Sequence, residues 1–130
     1  RLRMTTLYQV AAANKGIVVG TGNKVEDFGV GFYTKYGDGG VDISPIADCN
    51  KTEVWELGKE LGILKEIIDA PPTDGLWDDG RTDEGQLGLQ YNELEEAMNN
   101  PNSENREKYE KIRKLNLHKM ESIPVCKIPN

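Results

Sequence analysis

Lys35 and Asp42 stand at either end of a short run, Tyr36-Gly37-Asp38-Gly39-Gly40-Val41, in which three of four successive residues are glycine. Glycine costs backbone entropy and packs nothing, so such a cluster marks backbone that takes positive φ or lies close to another molecule. A cation and a carboxylate bracketing it suit a ligand with both an anionic phosphate and hydrogen-bonding hydroxyls. Gly-Asp-Gly is also ordinary turn chemistry, so a flexible surface turn is the competing reading. A second cation, Lys51, follows Asn50 at the start of a helical pattern. The helix dipole disfavours a lysine there unless a phosphate is bound too, when ammonium and backbone amides converge on one anion; an exposed lysine without a role is the alternative. His118-Lys119, as a bare dipeptide, reads as a cationic C-cap. No Ser/His/Asp or Cys/His constellation is present, so no side chain is assigned as catalytic.

The elements that position these residues follow from periodicity. Met4, Leu7, Val10 and Ala11 predict a helix over 1–15 stopped by Gly16, and Ile17-Val18-Val19-Gly20 has the β-branched look of a buried parallel strand. Thr21 to Lys24 then lies outside the carboxyl end of that strand, where ligands of open α/β sheets bind. A short helix carrying Glu26 is expected within 25–32, and extended chain over 41–43. Asn50 caps the next helix in a capping box with Glu53, with Val54, Leu57 and Leu61 as its apolar face and Gly62 as its end. Residues 70–88 form a long Pro/Gly/Asp-rich stretch whose embedded Leu76 and Trp77 suggest a lid rather than a linker. A short acidic helix over 91–98 should bury Leu94 and Met98. Ser103 is expected to cap a charged helix to about Leu117, whose Glu, Lys and Arg read as a solvated face. The tail 124–130 is not expected to order alone.

The 130 residues are the size of one domain, and a net charge of −6 argues against a nucleic-acid footprint, though not against a nucleotide. No apolar run reaches the length of a membrane span. Two widely separated cysteines, Cys49 and Cys126, fit a reducing, cytoplasmic setting without a disulfide, and neither has metal-ligand spacing. A lone parallel strand needs sheet neighbours that the later, mostly helical segments do not supply, and the chain opens at Arg1 straight into helix. The expectation is the carboxy-terminal part of a larger α/β protein.

Taken together, Arg1-Leu2-Arg3-Met4, Gly20-Thr21-Gly22-Asn23-Lys24 with Glu26, the run Phe32 to Asp42, Asn50-Lys51, Pro72-Thr73 and His118-Lys119 resemble NAD synthetase, in particular the ammonia-dependent form. The resemblance implies a Rossmann-like parallel sheet of the ATP pyrophosphatase type, with residues 1–130 as the carboxy-terminal part of a single synthetase domain. The family's Ser-Gly-Gly-x-Asp-Ser pyrophosphate loop does not occur in these residues, so activity of the 130 residues alone is not expected. The implied reaction is adenylation of deamido-NAD by ATP followed by attack of ammonia, in a homodimer. Thr21, Lys51 and Thr73 would contact ATP. Glu26 would bind Mg2+, with Asp27 as fallback because the stretch to Lys35 carries one residue more than in some relatives. Arg1, Lys35, Asp42, His118 and Lys119 would contact deamido-NAD. Three alternatives stay open: a non-catalytic fragment that dimerises or binds dinucleotide, the synthetase part of a glutamine-dependent enzyme, and an adenylating relative of GMP synthetase, against which the Thr34 to Gly40 run speaks.

Overall fold

The computed structural model describes residues 1–129. Six α-helices and one π-helix follow in chain order: α1 (Leu2–Ala13), the π-helix (Lys24–Val30), α2 (Lys51–Glu60), α3 (Lys65–Ile68), α4 (Asp83–Leu87), α5 (Tyr91–Asn99) and α6 (Arg106–Met120). The core is small. Val25 and Val30 of the π-helix, Leu87, Leu89, then Tyr91, Leu94 and Ala97 of α5 and Tyr109 of α6 form one buried cluster, against which Phe32, Trp55, Met98 and Ile112 pack. Burial of these side chains is the main favourable term holding α5, α6 and the π-helix together.

The short helix expected after Asn23 is wound as a π-helix. Asn23 is buried, and its Oδ1 accepts the N–H groups of Val25 and Glu26, both at 3.0 Å, satisfying two donors that a helix start leaves free. Gly31 ends the turn at φ 68°. A Cβ there would lie 2.6 Å from Cβ of Asn116, so the position needs glycine for its backbone and for the close approach of α6.

Several sequence expectations are corrected. The stretch 17–20 is extended but makes only one parallel bridge, Val19 to Ile43, with Gly20 N–H donating to Ile43 O at 2.7 Å and Asp42 N–H to Val18 O at 3.0 Å. Residues 41–43 are thus its one neighbour, and no regular sheet forms among the described residues. Nor does α1 bury its apolar side: Leu2, Leu7 and Val10 are all exposed. Of the capping box, Glu53 Oε2 accepts Asn50 N–H at 2.6 Å while Asn50 Oδ1 is buried without a partner; Leu57 and Leu61 lie in solvent and it is Trp55 that reaches the core. Ser103 does not cap α6. It is buried, donating to Glu96 Oε2 at 3.0 Å, and the helix starts three residues later. The long stretch 70–88 is interrupted by α4, which Thr82 caps through Gly85 N–H.

The charged face of α6 is more than solvated. Arg106 donates to Ala97 O and Met98 O, Lys108 to Gly88 O, Arg113 to Phe28 O and Gly29 O, and Lys119 to Gly31 O and Tyr33 O. These carbonyls belong to the last turns of α5, α4 and the π-helix and to the residues just past them, the ends where a helix leaves acceptors unpaired and favours cations. Four cations of one helix therefore fix where three other helices stop. α6 itself runs to Met120, which places His118 and Lys119 in its last turn. The tail after Met120 forms no helix or strand, and Asn130, part of the expected unordered tail, lies outside the described residues.

Candidate functional site

The π-helix and α2 meet where Lys24 N–H donates to Cys49 O at 2.8 Å. This junction brings Glu26 and Lys51, 25 positions apart, to one wall of a cleft of about 530 Å³. Lys51 Nζ lies 3.1 Å from Glu26 Oε1, with both side chains mostly shielded from solvent. The same carboxylate oxygen accepts the Tyr91 hydroxyl at 2.6 Å, and Lys51 sits 5.0 Å over the Tyr91 ring. Ammonium and phenol together hold Glu26 in one orientation.

The cleft is also lined by Thr21 and by the segment 70–74, including Thr73. Thr73 Oγ1 donates to Arg81 O and accepts Gly75 N–H, both at 3.2 Å, and Asp83 N–H donates to Pro72 O at 3.0 Å. The long loop is thus pinned at its base, while Leu76 and Trp77 stay exposed and Arg81 stacks 4.4 Å over the Trp77 ring. All four residues expected at ATP or its metal, Thr21, Glu26, Lys51 and Thr73, line this one space. Asp27 does not. Its carboxylate fills the place of a Cβ on Gly22, about 2.1 Å from it. Burial, then the charges of Glu26 and Asp38, push its pKa up to about 6.

A second cleft of about 800 Å³ is lined by Arg1, Leu7, Tyr33, Gly37 and Lys119 among others. It shares Phe32, Asp38 and Asp74 with the first, so the two spaces adjoin. Of the five residues expected at the dinucleotide, Arg1 and Lys119 line it, and Arg1, Lys35 and His118 are joined by hydrogen bonds, while Lys119 binds separate carbonyls. Arg1 Nε donates to Lys35 O at 3.0 Å, Lys35 Nζ donates to His118 O, and Lys119 Nζ donates to Gly31 O at 2.8 Å and Tyr33 O at 2.7 Å. Burial lowers the pKa of Lys119, against the pull of Asp38. The imidazole of His118 is on an exposed residue. Asp42 stands apart: its Oδ2 accepts Val18 N–H at 2.8 Å, tying down the extended pair, and it lines neither cleft.

The glycine run is built for contact as well as for turning. A Cβ on Gly39 would lie 2.3 Å from the Tyr33 ring, and Asp38 Oδ1 accepts Thr34 N–H at 3.0 Å, closing the loop. Sequence reasoning missed Asp83, Tyr91 and Trp55. The first lines the first cleft as a buried carboxylate, its pKa raised by burial first and then by Glu26, with Lys51 opposing. Burial and the bond to Glu26 raise the Tyr91 phenol. The Trp55 ring meets Tyr91 edge-on at 6.1 Å. Only Trp55 left a signal, standing four residues after Lys51 on the same face of α2. Among the described residues no group of three His, Cys, Asp or Glu side chains stands close enough to hold a metal ion.

A family model described as NAD synthase matches residues 1–129. Among curated relatives, the NH(3)-dependent NAD(+) synthetase of Carboxydothermus hydrogenoformans is 49% identical over 98 residues, 75% of this chain and 40% of the relative. That of Syntrophomonas wolfei is 44% identical over 131 aligned residues, 99% of this chain and 52% of the relative. The chain therefore spans about half the length of the curated relatives it matches. A solved structure of NMN synthetase from Francisella tularensis superposes with a TM-score of 0.90 at 35% identity, covering 98% of this chain and 53% of that one. The NH3-dependent NAD synthetase of Campylobacter jejuni, at 22% identity and TM-score 0.67, shares the fold.

Proposed function

We propose, from the premise that this chain belongs to the NAD synthase family, that it forms the carboxy-terminal part of an ammonia-dependent ligase that amidates deamido-NAD to NAD at the expense of ATP. AMP and pyrophosphate leave. The observation that carries the reading is the pair of adjoining clefts, one lined by Thr21, Glu26, Lys51 and Thr73, the other by Arg1 and Lys119, with Lys35 bonded to Arg1 through its carbonyl and to His118 O through its ammonium. A nucleotide in the first would meet a dinucleotide in the second at Phe32, Asp38 and Asp74.

The chemistry asks for charge neutralisation, alignment and dryness. Lys51, at the first position of α2, presents its ammonium to the cleft from the positive end of a helix, which favours a phosphate, although Thr52 N–H there is taken by Glu95 Oε1 at 3.0 Å. Thr21 and Thr73 both line the same space. Lys35 and Lys119, held on backbone carbonyls, provide positive charge near the dinucleotide phosphates. The loop over 73–82, pinned at Thr73 and Pro72, would cover the reacting groups and keep water from the activated acyl group. Magnesium, which takes one or two carboxylates together with phosphate oxygens and water, would be met in this cleft by Glu26 and would offset phosphate charge when bound. A cytoplasmic homodimer belongs to the same reading.

A second reading, amidation of nicotinate mononucleotide, is favoured by the Francisella NMN synthetase at TM-score 0.90. Both are tested by one assay: the purified chain, alone and mixed with the amino-terminal half of a related synthetase carrying the pyrophosphate loop, given ATP, magnesium and ammonium with either deamido-NAD or nicotinate mononucleotide. Equal yields of AMP and NAD from the mixture are expected, with no steady turnover by the chain alone. Preference for the mononucleotide would move the substrate assignment. A mixture that associates yet forms no AMP with either acid would overturn the ligase reading.

A further inference from the structure

The start of α2 does not use the cap oxygen its own sequence provides. Asn50 Oδ1 is buried and makes no hydrogen bond. An acceptor arrives instead from another helix. Glu95 of α5, 43 positions away, sets both carboxylate oxygens on one residue of that first turn: Oε1 accepts Thr52 N–H at 3.0 Å, and Oε2 accepts the Thr52 hydroxyl at 2.7 Å. A carboxylate is favoured at the positive end of a helix, and two charge-assisted bonds to a single residue fix its backbone and its side chain together. The residue so held is the neighbour of Lys51. Tyr91 stands one turn before Glu95 on the same face of α5. Its hydroxyl donates to Glu26 Oε1 at 2.6 Å, and the centre of its ring lies 5.0 Å from Lys51 Nζ. α5 thus grips the Glu26–Lys51 pair twice, at the side-chain ends through Tyr91 and at the backbone that carries Lys51 through Glu95. Glu95 itself lines neither cleft.

We propose that Glu95 is the positioning residue of Lys51: by holding Thr52 it sets the first turn of α2, and so seats the ammonium against Glu26 and the Tyr91 ring before a phosphate arrives. A lysine stem is flexible, and its charge is placed only when the turn it springs from is placed. Because Glu95 also occupies Thr52 N–H, a phosphate there is left to the ammonium rather than to that amide. The use of Lys51 on a phosphate rests on the nucleotide reading of the cleft; the seating of Lys51 by Glu95 does not.

The experiment is NMR of the full 130-residue chain with labelled lysine and tryptophan, on the parent, Glu95→Ala, Glu95→Gln and Thr52→Val, with Lys51 assigned by the loss of its signal in Lys51→Arg. An aromatic ring shifts nuclei above its face upfield, so the Lys51 Cε protons report the seat over Tyr91. The Trp55 indole, edge-on to the same ring, reports whether α2 as a whole stays in place. In Glu95→Ala the Lys51 signal should move to the position of an exposed lysine while Trp55 keeps its own. Glu95→Gln, which retains the shape and an oxygen for Thr52 N–H, should keep most of the Lys51 shift. Affinity for α,β-methylene-ATP with Mg2+ should fall by about two- to tenfold in Glu95→Ala, since a loosened lysine must be ordered on binding. Lys51→Ala combined with Glu95→Ala should bind no more weakly than Lys51→Ala alone, because the two act as one. An unmoved Lys51 signal in Glu95→Ala would overturn the proposal. Lys51 and Trp55 displaced together would make Glu95 a general fastener of α2 and overturn it too, as would Glu95→Gln behaving like Glu95→Ala, which would leave charge alone as the cause. If the parent binds no analogue while Glu95→Ala still releases Lys51, the nucleotide reading fails and the positioning stands. If Glu95→Ala does not fold, Thr52→Val, which removes only the hydroxyl bond, is read by the same criteria.

Discussion

Asp27→Asn should stabilise the metal-free protein by an amount that grows as pH rises from the ordinary carboxyl range towards about 6. The carboxyl is tucked under Gly22 and faces the charges of Glu26 and Asp38, with the Tyr33 phenol also coupled to it. Its pKa lies at about 6 against an ordinary 3.8. A folded pKa above the unfolded one means that the native state holds the proton more tightly, so the penalty is absent below pH 3.8, grows as pH rises, and is complete above about 6. The gap corresponds to about 3 kcal/mol, and solvent screening of this half-buried group reduces that to about 1 to 1.5 kcal/mol. Asparagine keeps the shape and removes the charge. Urea unfolding in chelator at several pH values from 4 to 7.5 measures the difference. The variant should match the parent, apart from a constant offset, near pH 4 and gain about 1 to 1.5 kcal/mol on it by pH 7. A difference that does not change with pH, or one in which the parent gains as pH rises, would refute the electrostatic account of this site.

Two further perturbations probe the site and its frame. Lys51→Ala, made in a complete relative or reconstituted enzyme, should lose about 2–4 kcal/mol of transition-state stabilisation in the adenylation step, since it removes a charge-assisted phosphate contact; single-turnover pyrophosphate release reports that step, and an unchanged rate would make the lysine a mere partner of Glu26. Gly31→Ala should destabilise by about 1 to 3 kcal/mol through its positive φ and the close approach of Asn116, read as a drop in urea midpoint at constant slope.

Local chemistry was legible in the residues themselves. The Glu53 bond back to Asn50 N–H, the extended stretch after Gly16, the helix stop at Gly62, and the Lys51 position all depend on neighbours within a few residues, and the order of the motifs carried the family resemblance. The resemblance put Glu26 at the metal and Lys51 at ATP, but their pairing was not readable: two side chains 25 positions apart meet because Lys24 N–H binds Cys49 O across the junction. Asp83 and Tyr91 stayed invisible for the same reason, one looking like a loop acid and the other like a core aromatic until α5 brought the phenol under Glu26. The charged helix shows the limit in reverse. Alternating charges fit a solvated face, and only packing revealed that Arg106, Lys108, Arg113 and Lys119 sit on the carbonyl ends of other helices. Apolar periodicity told which sides of α1 and α2 could be buried; burial itself needs a partner surface, and among the described residues Leu2, Val10 and Leu61 have none. A sequence fixes what each segment is able to bury or bind, because propensity and capping act over a turn or two, whereas which of these capacities is used depends on contacts between segments far apart in the chain.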